Sequence, residues 1–275
     1  MKLSIFGSTG FIGKNFCNQF QEHIEIPRGD KKPKTNNILY FLSTSHNYNI
    51  YDDLTLDVET NIYLLCQILE NCKQKGLIFN YISTMHVYGT QKKLPINEDS
   101  NCKPEGMYPI TKKCAEDIII TFCETFGVNY RILRLCNVLG AYKTYSPKKN
   151  AITWMINQVK EDKDIKLLNG GNFFKDVMHI NDVCSAIKLI CTKGKKNQIY
   201  NVGSGEPRTL EKIIRNAKAI LNSRSKIIIK NEIELKSRNH EKSFWLDTSK
   251  LNNLGFVKNF TLEETIKDIT KSEKV

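Results

Sequence analysis

The fold class this sequence predicts is α/β: a doubly wound, Rossmann-like parallel sheet with a smaller C-terminal lobe. Three observations carry that expectation. Strand-like apolar runs alternate with amphipathic helical stretches, and a glycine-rich stretch, "GSTGFIG" at 7–13, falls between the first of each. The chain has 275 residues, 40% of them hydrophobic, enough to bury one substantial core with a lobe attached.

Each element follows in order. "KLSIF" before Gly7 reads as a short buried strand, and Phe16 and Phe20, four apart, lie on one face of a helix. Gly7, Gly10 and Gly13 therefore sit on a strand-to-helix turn, where a dinucleotide pyrophosphate can rest on backbone N–H groups and the positive helix end. Glycine-rich turns also occur without a ligand, so the spacing alone leaves nucleotide binding open. A second strand, "HIEIP", is all that fits with one helix between Gly13 and Ile38, so the extra β-α unit common in dinucleotide folds is expected to be missing or vestigial. That strand runs into Pro27-Arg28-Gly29-Asp30-Lys31-Lys32. Arg28 favours the 2′-phosphate of NADP(H). Asp30 on a ribose, with NAD(H), and a solvated basic loop are the alternatives.

Further strands are expected at 38–43, 77–83, 130–135 and 165–168, and helices at 58–76 and 108–127, each with a glycine stop. Beyond residue 140 the pattern becomes mixed, with "AYKTYSPKKN" a loop and "TLEKIIRNAKAIL" an amphipathic helix. The expected organisation is a dinucleotide-binding domain over 1–140, to which 172–202 returns, and a mainly substrate-binding lobe over 141–275.

Composition excludes several classes. No run approaches the roughly 18 apolar residues of a membrane span and no cleavable signal precedes the first strand, so a cytoplasmic protein without a membrane partner is expected. Nine cysteines form no C-x-x-C pair, and no His cluster has zinc spacing; reduced, mostly buried thiols and no metal are expected. The net charge of +12 comes from dispersed lysines, which argues against nucleic acid and suits a phosphate-bearing small substrate.

"YPITK" places Tyr108 and Lys112 on one helical face, and "YISTMHVYG" ends a strand with Ser83 and Thr84. The pattern suits proton transfer coupled to hydride transfer. Lys112 would favour the phenolate of Tyr108 and hold a ribose, and Thr84 would hydrogen-bond the substrate oxygen. Ser83 is a backup for Thr84. Singly, Tyr-x-x-x-Lys is usually structural; its weight here comes from following the glycine turn and the Ser-Thr strand end.

"GSTGFIG", "STMHVYG", "YPITK", "LRLCNVLG", "FKDVMHINDV", "YNVGSG" and "LDTSKLNNLGF" occur in an order that resembles the extended short-chain dehydrogenase/reductase family, specifically its NAD(P)-dependent epimerase/dehydratase group acting on nucleotide sugars. The resemblance spans residue 3 to about 257. It implies Thr84, Tyr108 and Lys112 as the catalytic trio, and Gly7, Thr9, Gly10, Phe11, Ile12, Gly13, Arg28 and Lys112 at the cofactor. Substrate contacts would be Thr84, His86, Asn137, Lys175 and Arg238, the last two toward the nucleotide diphosphate. A homodimer paired through the helices at 58–75 and 108–124 is also implied.

Departures narrow the reaction. Met85 and His86 stand where the 4,6-dehydratases carry an acidic pair, which argues against water elimination. His86 is then a pocket residue, or an acid-base group for epimerisation. His179 reads as a satisfied core histidine. The expected activity is NADPH-dependent reduction of the 4-keto group of a 4-keto-6-deoxy nucleotide sugar, in deoxysugar or cell-surface polysaccharide synthesis. A 4-epimerase is the alternative. A catalytically silent cofactor-sensing or nucleic-acid-binding relative is the third reading.

Overall fold

The computed structural model describes residues 2–45, 49–141, 150–230 and 242–271. In chain order the elements are β1 (Leu3–Phe6), α1 (Phe11–Gln19), β2 (His23–Glu25) and β3 (Asn37–Tyr40). Next come α2 (Leu56–Val58), a π turn (Glu59–Tyr63), α3 (Leu64–Leu69), β4 (Ile78–Thr84), α4 (Met107–Phe126), β5 (Asn129–Leu135) and β6 (Asn137–Leu139). The remainder comprises α5 (Ala151–Lys160), β7 (Ile165–Leu168), β8 (Phe174–Lys175), β9 (Val177–His179), α6 (Ile180–Lys193) and β10 (Gln198–Val202). β11 (Arg208–Thr209), α7 (Leu210–Ile220), β12 (Ile227–Lys230), α8 (Ser249–Asn252) and α9 (Leu262–Lys271) follow.

The main sheet has six strands in the order β10-β5-β4-β3-β1-β2, all paired in parallel. Among the described residues β2 is an edge with no strand beyond it, as the short interval before Ile38 predicts. Side chains alternate across the sheet. Ile5 and Leu133 enter a core under α1 and α6, while Phe6 and Ile132, one residue along, enter the core under α3 and α4. Both faces are apolar because helices cover both. A third cluster, including Ile152, Ile156, Leu167, Ile213 and Ile269, joins α5, α7, α9 and β7 in the smaller lobe.

Three expected boundaries shift for physical reasons. The strand expected over 38–43 stops pairing at Tyr40, where Phe41 and Leu42 turn against Gly7. The helix expected over 58–76 is split by the π turn and ends at Leu69. Past Cys72 only Lys73, Gln74 and Lys75 follow, with no apolar stripe to bury. The strand at 165–168 pairs with β12 in the smaller lobe and is not in the main sheet. By contrast α4 runs nearly as expected and ends on Gly127, left-handed at φ 66°. Among the described residues no helix is long and apolar enough to cross a membrane.

The turn from β1 to α1 is set by close backbone approach. Gly7 has φ +83°, and a Cβ on Gly13 would lie 2.2 Å from the Gly7 carbonyl oxygen. Backbone atoms cannot yield as a flexible side chain can, so Gly13→Ala is expected to destabilise the fold by about 1–3 kcal/mol through overpacking. Gly10→Ala, whose Cβ meets only the Gly7 oxygen at 3.5 Å, should cost far less. Thermal melts of both variants check this.

Candidate active site

α4 carries its functional groups at helical spacing. Its buried stripe includes Thr111, Lys112, Ala115, Glu116, Ile119 and Cys123, so Lys112 and Glu116 lie one turn apart on the face packed against β4 and β5. Glu116 is fully buried. It accepts from Arg134 Nη2 at 2.7 Å, Arg134 Nε at 3.1 Å and Ser83 Oγ at 2.5 Å. Arg134 is itself buried and lies 4.6 Å from the Tyr88 ring centroid. Burial opposes the guanidinium charge, but the Glu116 carboxylate more than offsets that and holds Arg134 above its ordinary range. Tyr88 then donates to Asn201 Oδ1 at 2.7 Å, linking β4's exit to β10.

Above this anchor stand the trio. Lys112 is buried; its Nζ donates to the Ile82 carbonyl at 2.7 Å and lies 4.1 Å from the Tyr81 ring centroid. Burial pushes its ammonium down to about 7, against the opposing pull of Glu116. Tyr108 is partly exposed, and the hydroxyls of Thr84 and Ser43 lie beside its phenol. Burial pushes that phenol up to about 12, while the two hydroxyls draw it back down. Lys112 was expected to favour the phenolate, but its charge faces Ile82 and Tyr81, and burial dominates the phenol.

Ser83, the expected backup, points the other way and is bound to Glu116. Alternation along β4 separates it from Thr84. Sequence reading missed Ser43. Its hydroxyl donates toward Thr44 O at 2.7 Å and Asn61 Oδ1 at 3.0 Å, and Asn61, buried on the π turn, donates to Thr111 and Thr44 hydroxyls. Only the terminal serine of "ILYFLS" hinted at it.

The glycine turn fits an anion. No side chain caps α1, its first turn holds no acidic residue, and a Cβ on Gly10 would meet little, so Gly7–Gly13 leave an open cradle at the helix start. Thr9, Phe11 and Ile12 belong to the same turn and first helical turn. Arg28 follows β2, exposed and without a hydrogen bond or ion pair among the described residues. Asp30 instead accepts from Lys32 N at 3.0 Å and pairs with Lys34 at 3.4 Å. The backbone N–H of Lys32 is the chief cause of its lowered carboxyl pKa.

The other positions gather on the lobe side. Asn137 Nδ2 donates to Asp176 O at 2.9 Å. His86 is exposed, and its ring centroid is 6.5 Å from that of Phe244, which bridges to Lys175. Lys175 Nζ reaches Lys242 O at 3.4 Å and lies 4.7 Å from the Phe173 centroid; burial pushes it down to about 8. Arg238 lies outside the described residues. His179 caps α6 through Nδ1, meets Asp268 through Nε2 at 3.1 Å and stacks on Phe260, as a satisfied core residue does. All nine cysteines are free thiols, six of them buried.

Neutralising Glu116 would leave Arg134 buried without a counter-charge, so Glu116→Gln is expected to cost about 3–5 kcal/mol in urea unfolding. The Glu116→Gln/Arg134→Met double variant should recover much of that loss, because the penalty belongs to the unpaired charge.

The model of the NAD dependent epimerase/dehydratase family matches residues 41–203. The chain is 26% identical over 235 residues to the trifunctional UDP-glucose 4,6-dehydratase/UDP-4-keto-6-deoxy-D-glucose 3,5-epimerase/UDP-4-keto-L-rhamnose-reductase RHM1 of Arabidopsis thaliana, covering 84% of this chain. It spans about a third, 34%, of that relative's length. It is also 26% identical over 223 residues to a putative UDP-glucose 4-epimerase of Methanocaldococcus jannaschii, covering 80% of this chain and 71% of that one. Among solved structures, UDP-glucose 4-epimerase of Thermotoga maritima with UDP-glucose superposes with TM-score 0.85 at 20% identity, covering 97% and 96% of the two chains. RMD of Pseudomonas aeruginosa complexed with NADPH gives 0.83 at 18%, covering 97% of each. With a family model matching more than half of its length, and with the β-α-β frame and glycine turn described above, the chain belongs to the NAD dependent epimerase/dehydratase family.

Proposed function

We propose that this protein is an NADPH-dependent reductase that converts the 4-keto group of a 4-keto-6-deoxy nucleotide sugar to a hydroxyl. The observation that carries the reading is the juxtaposition of Thr84, Tyr108 and Ser43 hydroxyls beside buried Lys112, at the strand ends next to an uncapped glycine turn. The cofactor, when bound, supplies the hydride. Gly7, Thr9, Gly10, Phe11, Ile12 and Gly13 would receive its pyrophosphate, Arg28 its 2′-phosphate, and Lys112 its ribose. Thr84 donates to the substrate's C4 oxygen and Tyr108 delivers a proton to it. A phenol pushed up to about 12 starts in the protonated state that a donor needs at neutral pH. Ser43, itself held by Asn61, keeps the phenol aimed at Thr84.

On the substrate side, Asn137, His86, Lys175 and Arg238 would receive the sugar and its diphosphate. Met85 and His86 follow Thr84 in place of the acidic pair that would serve water elimination, in keeping with reduction. The 4-epimerase reading uses the same residues and is supported by the 4-epimerases among the relatives. Free Arg28 and a committed Asp30 favour NADPH and, with it, net reduction.

Incubation with a 4-keto-6-deoxy nucleotide sugar should consume one NADPH per sugar. Tyr108→Phe should lower kcat by roughly 10²–10⁴ with sugar-nucleotide binding nearly unchanged. Arg28→Ala should weaken NADPH about tenfold to a hundredfold and leave NADH unaffected. Interconversion of two 4-hydroxy sugar nucleotides without net absorbance change would transfer the assignment to an epimerase.

We further propose a homodimer through α2, the π turn, α3 and α4, which pack together and leave Leu56, Val58, Tyr63, Ile110 and Phe126 exposed. Light scattering at micromolar concentration should give a dimer mass, and Tyr63→Glu combined with Ile110→Lys should give a monomer.

A further inference from the structure

A second constellation lies away from the candidate active site, where α1 ends and β2 begins. Cys17 occupies the last turn of α1, and His23 and Glu25, two apart on the edge strand, project to one face. The Cys17 sulfur, a His23 ring nitrogen and a Glu25 carboxylate oxygen all lie within 4.8 Å of one another. His23 Nε2 and Glu25 Oε1 are 3.7 Å apart.

The imidazole's other nitrogen decides what sits between them. Nδ1 is 2.7 Å from the Phe20 carbonyl oxygen, an acceptor only, so Nδ1 carries the proton. Nε2 is then the ring nitrogen that faces the Glu25 carboxylate, 3.7 Å away, with the Cys17 sulfur within 4.8 Å of both. A proton would satisfy the His23–Glu25 pair but would leave Cys17, buried with no hydrogen bond among the described residues, outside the arrangement. A metal ion unites all three donors. The backbone carbonyl on Nδ1 is the outer partner that metal-bound histidines characteristically have.

We propose that Cys17, His23 and Glu25 form a binding site for a zinc-type divalent cation, with water completing a tetrahedral shell. Bond lengths of about 2.0–2.3 Å place tetrahedral donors roughly 3.3–3.6 Å apart, so the observed spread closes by about 1 Å of side-chain movement. Thiolate and imidazole select zinc over magnesium or calcium, and thiolate plus carboxylate balance its two positive charges. A surface hollow lined by Lys2, Gln21, Glu22 and His23 opens beside His23. The ion would clip the end of α1 to β2, the two elements whose opposite ends present the glycine turn and Arg28. The spacing C-x5-H-x-E is no recognised zinc motif; the helix-to-edge-strand turn brings the donors together.

Chelator-stripped protein titrated with Zn²⁺ should bind one equivalent whose affinity falls at least tenfold in Cys17→Ser and in His23→Ala, with Cys114→Ala, at an exposed thiol, unchanged. Co²⁺ substitution should give a thiolate-to-metal charge-transfer band that Cys17→Ser abolishes. Zn²⁺ should raise Tm in the wild type and in Cys114→Ala, and should leave Tm of Cys17→Ser and His23→Ala nearly unchanged. Glu25→Gln, on a side chain 55% exposed and therefore safe for folding, should weaken binding about tenfold and keeps the proposal testable if the buried variant misfolds. Equal uptake by wild type and His23→Ala, or a Co²⁺ complex without the thiolate band, would overturn the site.

Discussion

The Arg134–Glu116 pair is the interaction on which the rest of the site depends. It lies between α4 and the sheet, takes Ser83 from β4 as a third member, and abuts Tyr88, whose hydroxyl reaches Asn201 on β10. A charge pair at this depth contributes little net stability compared with a well-packed apolar pair, because desolvating both ions costs nearly as much as their attraction returns. What it contributes is registry. The two bonds from one guanidinium to one carboxylate allow α4 a single rotation and height on β4 and β5, and every side chain on α4 inherits that placement.

One turn from Glu116 the same helix face carries Lys112, and one turn further back Tyr108. With Lys112 Nζ held by the Ile82 carbonyl, the lysine is fixed at the strand end by a backbone atom that side-chain variation cannot remove. Lost hydration holds the Lys112 ammonium down to about 7 and the Tyr108 phenol up to about 12, so two groups with nearly equal proton affinity in water are driven apart. The Thr84 and Ser43 hydroxyls sit between that phenol and the neighbouring strand ends. The π turn belongs to this layer as well: its extra residue turns Asn61 inward to hold Ser43 and Thr44.

Much of this was legible in the residues. Tyr108 and Lys112 share a helical face because any helix puts i and i+4 together, and the glycine spacing located the turn whose backbone contacts admit no Cβ at Gly13. The terminal strand residues 83 and 84 were equally visible, but which of them faces the site was not. Alternation points them in opposite directions, and only the docking of α4 decides that Ser83 meets Glu116 while Thr84, at the strand's end, lies by the Tyr108 phenol. Likewise Arg134 and Glu116 are separated by 18 residues, and nothing in either neighbourhood announces the other.

By itself the sequence determined the β-α alternation as far as β5, the glycine turn, the helical pairing of Tyr108 with Lys112, and membership in a family whose motifs recur in order. These are properties of local spacing, which backbone geometry converts directly into position. The tertiary structure alone decided what each side chain meets: Ser83 on Glu116, Ser43 on Tyr108, Lys112 on the Ile82 carbonyl, and Cys17 against His23 and Glu25. Such contacts join elements through sheet order and helix rotation, which burial across the whole chain sets together and no single stretch encodes.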